Sequence, residues 1–338
     1  MSERISVRDV AAAAGVSVAS VSRVLSGNGY ASKAARTRVL QAVEQLGYEP
    51  NYAARHLRTG RSRTIGYLLA NIENPLSAAL LSEAERMAQA AGYSLLVGSS
   101  QHPPRDRELV AFFEQRGLEG IIALPNSEYP DARDCPFAGS KLPLVLVDRD
   151  LGPAYDSVLT NHHDGMRQAM NYLFTLGHRR IALFCSGDNL YPGRAKLRGY
   201  QAALQAAGLP FDPGLVFMPE SWLESSRAKT AQLLQTAQPP TALVAVGTQM
   251  LSGAIHVVRE LGLDIPRDFS IVGYGTMDTL ELMYPPATAL RYDFRRSAEL
   301  AVQLVVERIT ASSSAASRRA TVELDLVIRG SCGPCRAR

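Results

Sequence analysis

The chain reads as an α/β core of two Rossmann-like lobes preceded by a small all-α headpiece, and three observations predict this. Residues 6–26 form two short helical segments pinched at Gly15; from residue 64 onward apolar runs alternate with helical patterns; and the basic excess is confined to the N-terminus. Residues 1–63 carry 10 Lys+Arg and 4 Asp+Glu, whereas the remainder carries 26 and 28. That split is the footprint of a phosphate-binding module joined to a body that avoids polyanions.

The headpiece is legible residue by residue. Ser6 and, three positions on, Asp9 form a capping-box pattern, in which hydroxyl and carboxylate each answer a backbone N–H left open by the first turn. Val7, Val10, Ala11 and Ala14 recur at helical spacing, and Gly15 supplies the left-handed residue for a sharp turn. Ser17 caps a second helix whose Val21, Val24 and Leu25 face inward, leaving Val18, Ala19, Ser22 and Arg23 on the other face. Small residues let such a helix sit deep in a major groove, where Val18 and Ala19 meet thymine methyls and Arg23 forks onto guanine O6 and N7. Ser32 opens a third helix running to Leu46, ended by Gly47-Tyr48-Glu49-Pro50-Asn51. A short helical stretch over 52–58 and a polar linker over 59–64 follow.

In order, Asp9-Val10-Ala11, Ala14-Gly15-Val16-Ser17, Val21-Ser22-Arg23-Val24-Leu25, Gly47-Tyr48, Pro50-Asn51 and Ala53-Ala54-Arg55-His56-Leu57 resemble the headpiece and hinge helix of the lactose/galactose repressor family. The resemblance implies that Ser6, Ser17, Val18, Ala19, Ser22, Arg23, Asn51, Ala54 and Leu57 contact DNA. It further implies that paired hinge helices enter the minor groove, with Leu57 wedging a base step and bending the duplex. Domain bounds on this reading are 1–50 for the headpiece, 51–63 for hinge and linker, and 64–338 for the core.

In the core, apolar runs at 64–70, 94–99, 120–124 and 144–148 alternate with helical patterns at 77–91 and 106–116. The alternation restarts over 165–274, which predicts two parallel sheets covered by helices on both faces. This resembles the periplasmic sugar-binding fold, also the core of the same repressor family. The resemblance implies three crossings between lobes, giving a first lobe over about 64–160 and 292–319 and a second over about 161–290 and 321–330. In open α/β sheets ligands sit beyond the carboxyl ends of strands, which points to a cleft between the lobes. Leu76, Asn126, Asp148 and Arg149 follow strands there. Arg198 is matched to the family's effector-bonding arginine, and Trp222 to an aromatic against the effector. Where relatives carry Asn-Asp and an acidic residue, this chain has Gly247-Thr248 and Gly275; two carboxylates are missing while Arg149, Arg194, Lys196 and Arg198 remain. An anionic effector, such as a sugar acid, is therefore expected, because arginine suits carboxylate and phosphate.

Composition excludes several classes. At 46% hydrophobic and 20% charged residues the chain is of globular type, with no apolar run of membrane length and no secretory segment, so a cytoplasmic location is expected. Four cysteines give no disulfide framework, and Cys332-x-x-Cys335 lacks further ligands for zinc, reading as an untidy tail. His162-His163-Asp164 reads as a solvated crossover loop, and His178 as part of a turn. No nucleophile elbow, Walker loop or catalytic carboxylate pair is present, so neither enzymatic activity nor a cofactor is expected. The expectation is a homodimeric repressor that binds a near-palindromic double-stranded operator under control of a small-molecule effector. A periplasmic-type solute-binding protein is the competing reading; it leaves the basic headpiece without a use.

Overall fold

The computed structural model describes residues 5–26, 30–48, 61–100, 103–129, 131, 133–218, 223–275, 280–311 and 316–336. The chain divides into two compact units, Met1–Ser62 and Arg63–Arg338.

The first unit contains α1 (Val7–Ala14), α2 (Val18–Ser26) and α3 (Lys33–Leu46). At its start the Asp9 carboxylate accepts from Ser6 N at 2.7 Å. The Ser6 hydroxyl also donates to the same carboxylate at 2.7 Å, and the capping box expected from the sequence is present. Gly15 takes φ 61°, and the turn closes with Gly15 N bonded to Ala12 O and Val16 N to Ala11 O, which satisfies carbonyls at the end of α1. Ser17 Oγ then accepts from Ser20 N and Ser32 Oγ from Ala35 N, each at 3.2 Å, opening α2 and α3. Val10, Val21 and Val39, one from each helix, are fully buried together with Ala11, Ala14, Val24 and Ala42.

In the second unit, β1 (Thr64–Leu69), α4 (Pro75–Ala90), β2 (Ser94–Ser99), α5 (Pro103–Gln115), β3 (Gly120–Leu124), β4 (Leu144–Val147) and β5 (Asp156–Thr160) build the first lobe. The second follows with α6 (His162–Thr175), β6 (Ile181–Phe184), α7 (Tyr191–Ala206), β7 (Val216–Phe217), α8 (Leu223–Leu234), β8 (Ala242–Val246), α9 (Thr248–Glu260), β9 (Ser270–Gly275) and β10 (Thr288–Arg291). The chain then returns through α10 (Phe294–Thr310) and β11 (Arg319–Val322) before β12 (Asp325–Val327).

The sheet orders are β11-β5-β4-β3-β1-β2 and β12-β10-β9-β8-β6-β7. All pairings are parallel except β10 with β12. Thus β11 lies in the first sheet and β12 in the second, so the chain passes between lobes three times. Covered on both faces by helices, β3 and β8 are buried at every residue, which is why these strands read as continuous apolar runs without alternation. Helices α6 and α7 pack so closely at Gly199 that a Cβ there would lie 2.3 Å from His163 O; only glycine fits.

The C-terminal segment is fastened down. His178 is buried, with Nδ1 at 2.9 Å from Thr241 Oγ1 and Nε2 at 2.9 Å from Ser270 Oγ and 3.1 Å from Gly333 O. Cys332 Sγ donates to Ile271 O at 3.2 Å, and Cys335 N donates to Leu176 O at 2.7 Å. The tail expected to be untidy instead seals one end of the second sheet, and His178, read as a turn residue, is its anchor. Among the described residues no cluster of three metal-ligating side chains occurs, and no helix is long and apolar enough to cross a membrane.

Candidate functional site

Two sites emerge, one in each unit. In the headpiece, α2 presents Val18, Ala19 and Arg23 to solvent, with Ser17 exposed just before it and Ser22 half-buried. Its opposite face, Val21 and Val24, is sunk in the three-helix core. Arg23 lies along this outer face, its Nε donating to Ala19 O at 3.3 Å and its Nη1 to Tyr30 O at 3.4 Å. A helix whose core face is held by two others, while its outer face carries small residues and one arginine, has the form of a major-groove reader. Asn51, Ala54 and Leu57 lie outside the described residues.

In the core, the carboxyl ends of strands from both sheets enclose a cavity of about 700 Å³. The first lobe contributes Asn71, Asn74, Leu76, Asn126, Asp148 and Arg149; the second contributes His162, Ser186, Lys196, Thr248, Gln249 and Tyr274. Three helices start at its wall, since α4, α6 and α9 place Leu76, His162 and Thr248 in the lining. The first two are capped by Asn74 and Asn161, whose side chains accept from Leu76 N and Asp164 N. Helix α9 begins after Gly247 with no side-chain cap. The positive ends of three helix dipoles thus lie at the cavity wall.

Asp148 is held in a left-handed backbone conformation (φ 49°). Its Oδ1 accepts from Thr160 N at 2.8 Å, and its Oδ2 lies 3.2 Å from His162 Nε2. Burial opposes its charge, but His162 and Thr160 outweigh that and hold the carboxyl down at about 2. Burial and the nearby Lys196 charge push His162 down to about 4, so at neutral pH the imidazole is neutral and donates to the Asp148 carboxylate. Its Nδ1 is buried with no hydrogen-bond partner. Arg149 is committed on two sides, Nε to Pro125 O at 2.6 Å and Nη1 to Asp148 O at 2.8 Å.

Lys196 is only 4% exposed. Its Nζ stands 4.8 Å from the centre of the Tyr274 ring, and among the described residues no carboxylate forms an ion pair with it. Burial pushes its ammonium down to about 8.

Several sequence expectations are corrected by this geometry. Arg198 is exposed and does not line the cavity; Lys196, two residues earlier on α7, does. Two residues are about 200° of helix rotation, so the two side chains point to opposite sides. Arg194 is neutralised by Glu128 at 2.5 Å, which removes one cation from the expected excess. Gly275 is buried at the end of β9 and does not reach the cavity wall, although Thr248 does. His162 is no solvated loop residue: Asn161 caps the helix earlier than 165, and His162 is buried in its first turn, while His163 stays partly exposed. Trp222 lies outside the described residues.

Glu128 had no expected role, yet it ties the lobes together. Its Oε1 accepts from Asp150 N at 2.9 Å in the first lobe and from Tyr191 N at 2.7 Å in the second. Tyr191 OH adds a second tie, donating to Thr160 O at 2.8 Å.

A helix-turn-helix headpiece on a two-lobed α/β core with an interlobe cleft defines a DNA-binding transcription regulator. Residues 6–51 match the family described as bacterial regulatory proteins, lacI family, and residues 170–332 a periplasmic binding protein-like domain. The HTH-type transcriptional repressor PurR of Erwinia tasmaniensis is 30% identical over 315 residues, covering 90% of each chain. Among solved structures, a transcriptional regulator CelR–cellobiose complex is 27% identical with TM-score 0.74, covering 97% of this chain and 100% of that one. The Lac repressor dimer bound to operator and an anti-inducer shares the fold at TM-score 0.84 and 24% identity, covering 97% and 99%. The chain belongs to the lacI family of bacterial regulatory proteins. It is a transcriptional repressor with a helix-turn-helix DNA-binding headpiece, of a family that is not enzymatic, and the solute-binding reading is not favoured.

Proposed function

We propose that this repressor acts as a cytoplasmic homodimer on a near-palindromic operator and is controlled by a small anionic metabolite, of sugar-acid type, bound between the core lobes. The observation that carries the effector class is Lys196, a buried cation on the cavity wall with no carboxylate ion-pair partner among the described residues, beside the half-used guanidinium of Arg149. A buried charge left unpaired is costly, and an incoming carboxylate relieves that cost with charge-assisted hydrogen bonds. The helix starts at Leu76 and Thr248 add to the attraction. Asp148 and His162 offer acceptors to ligand hydroxyls, which suits a polyhydroxylated acid. The relative solved with cellobiose carries a neutral sugar, so the anion preference is a property of this cleft.

The homodimer is supported by the solved Lac repressor, which is a dimer on its operator, and by Leu282 and Tyr284, 88% and 87% exposed on a second-lobe loop, which offer apolar surface for a second copy to cover. Ligand binding alters how firmly the lobes close, and residues 51–62 carry that change to the headpiece.

Titration calorimetry of the full chain against glucose and gluconate tests the effector class. Gluconate is expected to bind more tightly, and Lys196→Met to erase the difference while operator retardation in gels persists. Tighter binding of glucose by the unaltered protein refutes the anionic reading and leaves the repressor assignment intact.

A further inference from the structure

Of the 36 basic residues in this chain, only Lys33, Lys141, Lys196 and Lys229 are lysines. Arginine is the cation used almost everywhere, including sites that bind carbonyl oxygens and carboxylates, such as Arg149 and Arg194. Lys33 and Lys141 are exposed and Lys229 is half-buried on α8; Lys196 alone is buried, and it lies on the wall of the ligand cavity. An arginine fits bidentate carboxylate recognition better than a lysine does. What arginine cannot do is lose its proton and act as a nucleophile.

Burial, with the Arg149 charge, favours the free amine and prevails over the Asp148 carboxylate, which favours the ammonium. Lys196 Nζ faces the Tyr274 ring at 4.8 Å, has no carboxylate ion-pair partner among the described residues, and shares its cavity with Asp148 and Arg149. Desolvation and a neighbouring cation are what make a lysine nucleophilic, and Lys196 has both. With burial holding it at about 8, about a tenth of the amine is neutral at pH 7, against a few parts in ten thousand for an ordinary lysine.

We propose that Lys196 forms a reversible imine with its effector, and that the effector is therefore a 2-oxo acid, its carboxylate held by Arg149 and the helix starts while its carbonyl carbon meets Nζ. The proposal rests on the anionic reading of the cleft. The neutral Nζ adds its electron pair to the carbonyl carbon, the carbonyl oxygen takes up the proton released from nitrogen, and a carbinolamine results. Loss of that hydroxyl with the second amine proton leaves a C=N bond and one water, with no change of oxidation level. His162, whose Nδ1 is a buried acceptor without a partner, and the Asp148 carboxylate line the same cavity and can relay these protons. Hydrolysis reverses each step, so the repressor resets when the metabolite is consumed.

Reductive trapping of the full-length protein tests this, with pyruvate as probe, sodium cyanoborohydride as reductant, and peptide mass spectrometry to locate the adduct. Lys196 is expected to be modified at least ten times faster than Lys33, Lys141 and Lys229. Lactate, which has the carboxylate but no ketone, is expected to slow it, and Lys196→Arg to abolish it. The three other lysines are internal controls, so the decisive comparison needs no variant. Modification of Lys196 no faster than that of the others overturns the imine, while any calorimetric preference for gluconate stands untouched. Trapping of acetone at Lys196 as fast as pyruvate, with no protection by lactate, overturns the oxo-acid class by removing the anionic reading beneath it.

Discussion

Replacing Glu128 by alanine is expected to loosen the closed cleft. The Glu128 side chain is 7% exposed and accepts from Tyr191 N, Asp150 N and Arg194 Nη2 at 2.7, 2.9 and 2.5 Å. The bond to Asp150 lies within one lobe and survives or fails whether the cleft is open or shut. The other two cross the cleft and alone shift the balance. Leaving a partly buried N–H unsatisfied costs about 1–3 kcal/mol, whereas Arg194, 37% exposed, regains water and adds little. The net shift is about 2 kcal/mol toward opening, or about 30-fold in the equilibrium. Tyr191 reports this directly. As the first residue of α7 its amide has no partner inside the helix, so its protection from hydrogen exchange depends on Glu128. Exchange at Tyr191 is expected to rise by about 10- to 100-fold in Glu128→Ala, and the affinity of a ligand that binds the closed form to fall by up to the same factor as the equilibrium shift. Exchange within twofold of the unaltered protein, with ligand affinity unchanged, refutes the assignment of Glu128 as an interlobe tie.

Two further outcomes follow from the same geometry. His162 is held at about 4 in the folded state against 6.5 unfolded, so between those values the unfolded chain binds the extra proton. Stability is then full above about pH 6.5 and is lost as pH falls toward 4; urea unfolding of the full chain, followed through its core transition, is expected to show a loss of about 1–2 kcal/mol from pH 6.5 to 5, and His162→Gln to flatten that slope. In the headpiece, Arg23→Ala is expected to weaken operator binding by about 1–3 kcal/mol and relax selectivity at one base pair per half-site, with unchanged selectivity reducing Arg23 to a phosphate contact.

The fold was legible because its signals are local. Gly15 and Gly47 adopt the left-handed conformation their positions after helical runs imply. Strands such as β3 and β8 are buried throughout, so their apolar runs stand out without any need for alternation. The three crossings were harder, since nothing local in 319–327 says that β11 pairs with β5 while β12 turns back onto β10. That came from likeness to a known architecture. Glu128 was invisible for a related reason: its partner Arg194 is 66 residues away, and a lone glutamate in a loop carries no sign of a partner that distant.

Lys196 and Arg198 show where pattern reading fails at a site. Both sit on α7 among basic residues, and the sequence offers no charge-based reason to prefer one. The helix decides. Gly193, Ala195, Lys196, Gly199, Tyr200 and Ala203 are buried, tracing one stripe of α7 at spacings of three and four, and Lys196 falls on the stripe while Arg198 falls off it. Small residues along that stripe admit close packing against α6, as Gly199 shows at His163 O, and the same face that docks the helix aims Lys196 into the cleft. A lysine placed by packing among glycine, alanine and tyrosine is desolvated by the same contacts that stabilise the lobe. Its altered acidity and its place in the ligand cavity therefore have one physical origin.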